Sequence, residues 1–412
     1  MNLENLKKLI DQNEVKTLLS IFSDYSENKL FLVGGCIRNA LVDKDIVDID
    51  FATACKPEDI IEILSTNNIK YYDIGAKFGT ITAILNEQTF EITSFRKDQE
   101  TDGRHAKVEY TNKIEIDAAR RDFTINAIYI DQELKIYDFF NGVEDLQNNS
   151  LKFIGQADVR IKEDYLRILR FFRFYNDFSS QTNDSVTLNS LSKEASNLSL
   201  ISKERIFSEF SKILDHKDPL VSLELMQELG ILKYISADIK LSGSFSNLIN
   251  IEKQLDLKTT FTRRLSILLE NSPQKIDSFN STYNINSETK KYLVNLSNID
   301  QKLVCYLSIR EARAKIYKLG VGLFLDQTAI SWAKDVNQKN DINWRALFEV
   351  GKNFEKPLFP VNAQYVINMG IDEGPLIGKI LDELEEWWVD NGFVSDEYSL
   401  IERLKAICLS HK

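Results

Sequence analysis

Two aspartates, Asp48 and Asp50, stand two positions apart in DIVDIDFAT, shortly after Gly34-Gly35 and Arg38 in KLFLVGGCIRNAL. The apolar run before the glycines predicts a buried strand, the Gly-Gly pair a bend, and the residues after it a helix. DIVDIDFAT predicts a second strand, on which alternate side chains share a face, so Asp48 and Asp50 project to the same side. Two carboxylates so placed can share hard divalent cations. Magnesium suits such oxygen ligands and completes its shell with phosphate oxygens and water. A two-metal clamp activates an attacking hydroxyl and neutralises a leaving pyrophosphate. The Gly34-Gly35 turn lets backbone N–H groups approach a triphosphate, the following helix N-terminus adds partial positive charge, and Arg38 can grip a phosphate. A lone Asp-x-Asp is ordinarily a solvated surface pair and a lone Gly-Gly an ordinary turn. Together on strand, turn, helix and strand, they point to nucleotidyl transfer. Glu91 in TFEITSFR is a candidate third carboxylate acting on the proton of a 3′-hydroxyl, with a solvated strand residue as the equal alternative.

Two further constellations carry charge in useful patterns. In RRDFTINA, Arg120 and Arg121 beside Asp122 can pair a phosphate and accept a ribose hydroxyl, or form a helix cap with a salt bridge. In EDYLRILRFFRF, Asp164 and Arg167 are read as i,i+3 neighbours on a helix, with Arg170 and Arg173 continuing a basic stripe. The plain alternative is an intrahelical ion pair. The functional reading sets a carboxylate acceptor beside guanidinium donors, facing the Watson–Crick edge of a base. Cytosine offers N4–H and N3, and adenine offers N6–H and N1 in the same sense. Guanine and uracil invert that pattern, so one Asp/Arg pair can accept C and A without a nucleic-acid template.

The elements that must position these groups fall into two regions. Over the first 150 residues, strand and helix patterns alternate. A helix is opened by Lys56-Pro57, strands cover 79–85 and 89–96, and a hairpin closes around Asn86-Glu87-Gln88. The polar stretch QETDGRHAKVEY begins as a mobile loop, AARRDFTINAIYID runs from helix into a short strand, and ELKIYDFFNG is a strand followed by a turn. From about residue 155 the apolar period is helical to the end of the chain. The fold class is therefore α+β, a small mixed sheet followed by an all-helical remainder. The length of 412 residues fits two to four domains or subdomains. With 6 Pro, 16 Gly and 43% hydrophobic residues, the chain favours long helices over a strand-rich sandwich. The net charge of −11 argues by itself against a nucleic-acid binder, but a local basic stripe decides that question. Cys36, Cys55, Cys305 and Cys408 form no CxxC pair, and His105, His216 and His411 are scattered, which disfavours a zinc site. Reduced thiols, no signal peptide and no apolar window of membrane length suggest a cytoplasmic protein.

LVGGCIRNAL…DIVDIDFAT, RRDFTINAIYID, DFFNGVEDL, KEDYLRILRFFRF and ERIFSEFSKIL, in this order and spacing, resemble the five motifs of bacterial tRNA nucleotidyltransferases and poly(A) polymerases, class II of the DNA polymerase beta-like superfamily. The motifs span about half the chain, roughly 30–215, and GPLIGKILDELEEWWVDNGF is similar to the C-terminal region of the tRNA-directed members. The resemblance implies a catalytic nucleotidyltransferase head over 1–150, a helical neck that recognises the base over 151–230, and a tRNA-binding body and tail over 231–412. It implies that Asp48 and Asp50 hold Mg2+. Gly34, Gly35 and Arg38 contact the triphosphate, with Arg121 and Asp122 in the nucleotide site. Asp164 and Arg167 template the base with Arg170 and Arg173 alongside. ERIFSEFSKIL buttresses the neck, and Asp138 and Gly142 form a hinge. CTP, ATP and the acceptor and T arms of tRNA are the implied partners, with no membrane and no protein partner. Two positions depart from the pattern. The usual Arg-Asp after the glycine turn is Arg38-Asn39, whose amide oxygen can still accept, and the usual His-Gly-Thr is Phe78-Gly79-Thr80.

Among activities sharing these motifs, CCA addition is preferred. A poly(A) polymerase is expected to carry a basic RNA-binding tail, whereas this chain ends IERLKAICLSHK. A CC-adding enzyme is expected to lack the flexible segment RKDQETDGRHAK, which is present. An A-adding enzyme remains a further alternative, and a non-catalytic RNA-binding relative is expected to have lost a metal carboxylate or the Asp164/Arg167 pair. The segment SIREARAKIYKLG, with Arg310, Arg313, Lys315 and Lys318, is the candidate contact to tRNA phosphates, against the alternative of a solvated face.

Overall fold

The computed structural model describes residues 3–25, 29–98, 108–178, 184–298, 303–393 and 396–411. They divide into two compact units, Met1–Ala237 and Asp238–Lys412. The first opens with helices α1 (Leu3–Ile10) and α2 (Asn13–Ser23), strand β1 (Leu30–Val33), helix α3 (Gly35–Leu41) and strand β2 (Asp50–Thr53). Helix α4 (Pro57–Thr66) begins where Pro57 needs no N–H partner and the Asp59 carboxylate accepts the Lys56 N–H at 3.0 Å. Strands β3 (Lys70–Tyr72), β4 (Thr80–Leu85), β5 (Gln88–Ser94), β6 (Arg96–Asp98) and β7 (Val108–Tyr110) follow, then α5 (Ile114–Ala119), β8 (Ile128–Ile130) and β9 (Ile136–Asp138).

Seven of these strands form one mixed sheet in the order β3-β4-β5-β2-β1-β8-β9, and β6 pairs with β7 separately. Only β2 and β5 run parallel within the large sheet. The β4–β5 hairpin turns on Asn86 and Glu87, both at positive φ (45° and 67°), the geometry a two-residue turn needs to match strand twist. The helices α6 (Gly142–Gln147), α7 (Ala157–Glu163), α8 (Arg167–Phe178), α9 (Ser185–Glu194), α10 (Lys203–Leu214), α11 (Leu220–Glu228) and α12 (Leu232–Ile235) complete the unit. A buried aromatic stack of Phe123, Phe153, Phe171 and Phe174 seats α8 beside the turn after α5. The second unit is helical among its described residues, from Gly243–Gln254 to Glu397–Ser410. No described helix is long and apolar enough to cross a membrane. The α+β expectation is borne out.

Three local expectations need correction. The second strand starts at Asp50, so Asp48 lies in the extended segment before it. Asp164 is not inside a helix with Arg167. It is the extended C-cap of α7 (φ −154°, ψ 104°), and α8 begins only at Arg167. The strand β3 was not expected from the polar, aromatic IKYYDIG. Of the segment proposed as a flexible loop, RKDQETDGRHAK, residues 99–107 lie outside the described residues.

Candidate active site

The acidic cluster is built on two neighbouring strands. Asp50 of β2 is in parallel register with Glu91 of β5, so both side chains leave the same face of the sheet. Ile49 is buried, while Asp48 and Glu91 are exposed and Asp50 is half-buried. Burial, reinforced by the charges of Glu91 and then Asp48, pushes the Asp50 carboxyl up to about 6 despite the opposing pull of Arg121. Asp50 therefore feels both of the other acids, although Asp48 sits outside the strand. Among the described residues no group of three or more His, Cys, Asp or Glu side chains is gathered tightly enough to hold a metal by itself.

Beside these acids the chain turns at Gly34, whose φ of +75° and ψ of −125° suit glycine, and α3 starts at Gly35. Two guanidinium groups lean on this turn. A Cβ on Gly34 would lie 3.5 Å from Arg121 Nη1, and one on Gly35 would lie 3.8 Å from Arg38 Nη2. Arg121 is aimed from behind. Its Nε donates to Tyr129 Oη at 2.8 Å and its Nη2 to Asp117 Oδ2 at 3.3 Å, while Tyr129 Oη donates to the same Asp117 oxygen at 2.6 Å. Burial alone would lower the Arg121 pKa, but Tyr129 and Asp117 raise it above the usual arginine value. Asp117 also accepts from Arg120 Nε at 2.7 Å. Burial opposes its ionisation, yet Arg121 and Arg120 hold its carboxyl below the usual range. Asp117 and Tyr129 are functional candidates that the sequence reading passed over. The spacing of Asp117, three and four positions before the arginine pair on one helical turn, was a signal for the first.

Arg38 is held by amides. Its Nε and Nη2 donate to Asn39 Oδ1 at 3.1 and 2.9 Å, and its Nη1 donates to Asn126 Oδ1 at 2.5 Å. Thus the Asn39 oxygen, expected to remain available as an acceptor, is taken by Arg38. Asn126 donates onward to Asp122 Oδ1 at 3.1 Å, and Asp122 Oδ2 accepts from Arg170 Nε at 2.6 Å. Asp122 is buried, and burial is outweighed by Arg170 and Asn126, which keep it ionised below the usual carboxylate range. Its oxygens also take the Phe123 N–H at 2.8 Å, so it is the hub of an internal network. Glu209 of α10 extends that network, lying 3.9 Å from Arg170 and 3.5 Å from Arg173. The guanidinium groups of Arg38, Arg173 and Arg170 surround the Phe174 ring at 4.7, 5.2 and 5.8 Å. Burial and then the nearby charge of Arg173 lower the Arg38 pKa to about 10, so it remains a cation at neutral pH.

The expected base-reading pair is not joined in this structure. Asp164 Oδ1 accepts the Leu166 N–H at 3.1 Å and its Oδ2 accepts from Arg205 Nη2 of α10 at 2.8 Å. Arg167 is buried, and its Nη1 donates to Glu163 at 2.6 Å and to the Arg160 carbonyl at 2.7 Å. Arg205 was missed because it reaches Asp164 across 41 positions of sequence. In the motif DFFNGVEDL, the Asp138 carboxylate accepts the N–H groups of Gly142 and Val143, each at 2.9 Å. A Cβ on Gly142 would lie 2.2 Å from the Thr124 carbonyl oxygen, so only glycine fits this join. A cavity of about 840 Å3 opens between residues 150–158 and 184–194, but none of the site residues lines it.

In the second unit the basic helix Ile309–Leu319 is partly occupied by its neighbour. Arg310 Nε donates to the Asp390 carbonyl at 2.7 Å, Lys318 lies 3.4 Å from the Asp390 carboxylate, and Arg313 packs over Phe393 at 5.4 Å.

A crowded acidic cluster beside a glycine bend flanked by two guanidinium groups is suited to nucleoside triphosphates, and the class it defines is the nucleotidyltransferases. Residues 30–152 match the Poly A polymerase head domain, and residues 184–240 match the probable RNA and SrmB-binding site of polymerase A. The chain is 31% identical to human mitochondrial CCA tRNA nucleotidyltransferase 1, over 95% of this chain and 89% of that protein. It is 27% identical to the CCA-adding enzyme of Staphylococcus epidermidis, over 92% and 94% of the two chains. Its fold is that of the Bacillus stearothermophilus CCA-adding enzyme solved with CTP, with a TM-score of 0.70, 24% identity, and 97% and 98% of the chains covered. The chain belongs to the CCA tRNA nucleotidyltransferase family, whose nucleotidyltransferases generally use divalent metal ions.

Proposed function

We propose that this enzyme completes the 3′ end of tRNA by adding C, C and A from CTP and ATP, with side chains rather than a nucleic acid selecting the base. The observation that carries the reading is the acidic pair Asp48 and Asp50 set beside a glycine turn on which Arg38 and Arg121 converge. Incubation with labelled CTP and ATP tests it. A tRNA lacking its terminal CCA should gain two C and one A and then stop, whereas long A tracts on generic RNA would favour poly(A) synthesis.

The acidic cluster fits a divalent cation. Asp50 feels Glu91 and Asp48 against the pull of Arg121, and hard oxygen donors with unbalanced negative charge favour Mg2+. Asp48 and Asp50 would hold the ion, which would neutralise triphosphate charge and acidify the attacking hydroxyl. Gly34 and Gly35 admit the triphosphate to the backbone, and Arg38 and Arg121 grip it. Asp122 holds this wall together through Asn126 and Arg170. Glu91 takes the proton of the tRNA 3′-hydroxyl as its oxygen bonds the α-phosphorus and pyrophosphate leaves. Asp164 accepts from the exocyclic amine of C or A, and Arg167 donates to the adjacent ring nitrogen. Their partners in the structure, Arg205 and Glu163, are those that a base would replace. Arg170 and Arg173 keep the Phe174 wall cationic.

We assign the head to 1–150, the base-reading neck to 151–230, and the body and tail that bind the acceptor and T arms of tRNA to 231–412. No disulfide joins the cysteines among the described residues, which supports a reducing compartment, and we assign the enzyme to the cytoplasm.

A further inference from the structure

The partners of Arg38 have a consequence of their own. Its three hydrogen bonds all go to amide oxygens, and among the described residues it forms no ion pair. The side chain next to it, Asn39, uses both halves of its amide. The oxygen takes two N–H groups of Arg38, and Nδ2 donates to the Asp45 carbonyl at 2.7 Å. The Asn39 backbone carbonyl also accepts the Lys44 N–H at 2.9 Å. One residue thus fixes the guanidinium at the glycine turn and fastens the segment that leads to Asp48. An aspartate here would accept the same two N–H groups as a charge-assisted pair and cancel the cation. When ionised it would also have no N–H for Asp45.

We infer that Asn39 is a positioning residue that sets this enzyme's hold on the triphosphate, because its amide anchors Arg38 without neutralising it. The inference rests on the reading of Arg38 as a triphosphate ligand. Phosphate recognition by a cation is a long-range charge effect, so removing the net charge beside the turn weakens binding and flattens its dependence on salt. Merely loosening Arg38 leaves the charge in place.

The experiment measures binding of inorganic tripolyphosphate to the full chain by calorimetry, in EDTA, across a range of salt. The variants are Arg38→Ala, Asn39→Ala and Asn39→Asp, with CTP KM and kcat determined alongside in Mg2+. Both Asn39 substitutions remove the donor to Asp45, and only Asn39→Asp adds a charge. Arg38→Ala should weaken tripolyphosphate binding more than about tenfold, and Asn39→Asp should bind about fivefold more weakly than Asn39→Ala, with a flatter salt dependence. The CTP KM should follow the same order with a smaller change in kcat. Equal or tighter binding by Asn39→Asp than by Asn39→Ala, with Arg38→Ala impaired, overturns the inference and leaves Arg38 as a phosphate ligand. Unimpaired binding by Arg38→Ala overturns the reading of Arg38 and the inference with it. If Asn39→Asp does not fold, Asn126→Asp brings the same charge to Arg38 Nη1, and undiminished binding there is equally fatal.

Discussion

Asp164 is tied to Arg205 at 2.8 Å, while Arg167, three positions further on, is held by Glu163 at 2.6 Å. The two residues expected to read a base are thus each satisfied by the protein. The Asp164–Arg205 contact is half-exposed, where an ion pair contributes little and is readily exchanged. Replacing Asp164 by Ala should therefore damage selection more than folding. A charged hydrogen bond lost from the base edge is worth about 1.5–3 kcal/mol, so the ratio of kcat/KM for CTP over UTP should fall about tenfold or more. Tripolyphosphate binding should stay unchanged. Discrimination that survives intact would place base reading elsewhere.

Asp50 gives a prediction with a defined pH. Its folded-state carboxyl titrates at about 6, above the value of about 3.9 expected for the unfolded chain. The folded state therefore holds the proton more tightly, and stability is lost as pH rises through the interval between those values. Allowing for partial exposure, the loss is about 1–2 kcal/mol. In EDTA at pH 7.5, Asp50→Asn should melt a few degrees higher than the native enzyme and yet transfer no nucleotide. Mg2+ should raise the melting temperature of the native enzyme more than that of Asp50→Asn. The native Mg2+ requirement should climb as pH falls below about 6, because protons compete with the ion. Asp48→Ala should abolish transfer at every Mg2+ concentration tried. An Asp50→Asn protein that melts lower than the native one in EDTA would contradict the crowding of these acids.

Asp117 behaves in the opposite sense. Its side chain is fully buried and serves Arg120, Arg121 and Tyr129. Its pKa is depressed, so its contribution is present above the unfolded value and is lost as pH falls. Asp117→Ala leaves Arg120 without its carboxylate and takes from Arg121 and Tyr129 the acceptor they share, and breaking such a buried pair costs about 3–5 kcal/mol. Chemical denaturation should show that loss. The surviving enzyme should have a raised KM for both CTP and ATP, since Arg121 is no longer aimed at Gly34. A loss below 1 kcal/mol would mean that the arginines find other partners.

What the sequence disclosed follows the range of the interaction. The Gly34 turn, the Asn86-Glu87 hairpin and the switch to helical period after residue 155 are set by neighbours along the chain, and all were readable. The order of the motifs also pointed to the family. The position of Asp164 was not readable from the helical period, because an aspartate that caps the next helix looks the same as one inside it. Nor did the strand pattern show that Asp48 precedes β2, since alternation continues past the last ladder bond. The partners that orient the site were the least visible. Arg38 finds Asn126 across 88 positions and Asp122 finds Arg170 across 48, distances over which only the folded chain brings side chains together.

The basic helix Ile309–Leu319 leads to the last prediction. Arg310 and Lys318 are bound to Asp390, and Arg313 lies over Phe354 and Phe393, so part of its charge serves the fold of this unit. Lys315 is half-buried on the same helix, one turn after Glu311, whose carboxyl it helps to hold below the usual range behind the Ser308 hydrogen bonds. Charge reversal at Arg313 should therefore lower stability as well as RNA affinity, while Lys315→Glu should act chiefly on RNA. If this helix meets tRNA phosphates, Lys315→Glu raises the KM for tRNA severalfold, leaves the KM for CTP alone, and reduces the slope of log affinity against log salt by about 1. Unchanged tRNA affinity in a Lys315→Glu enzyme that melts like the native one would remove this helix from the RNA-binding surface.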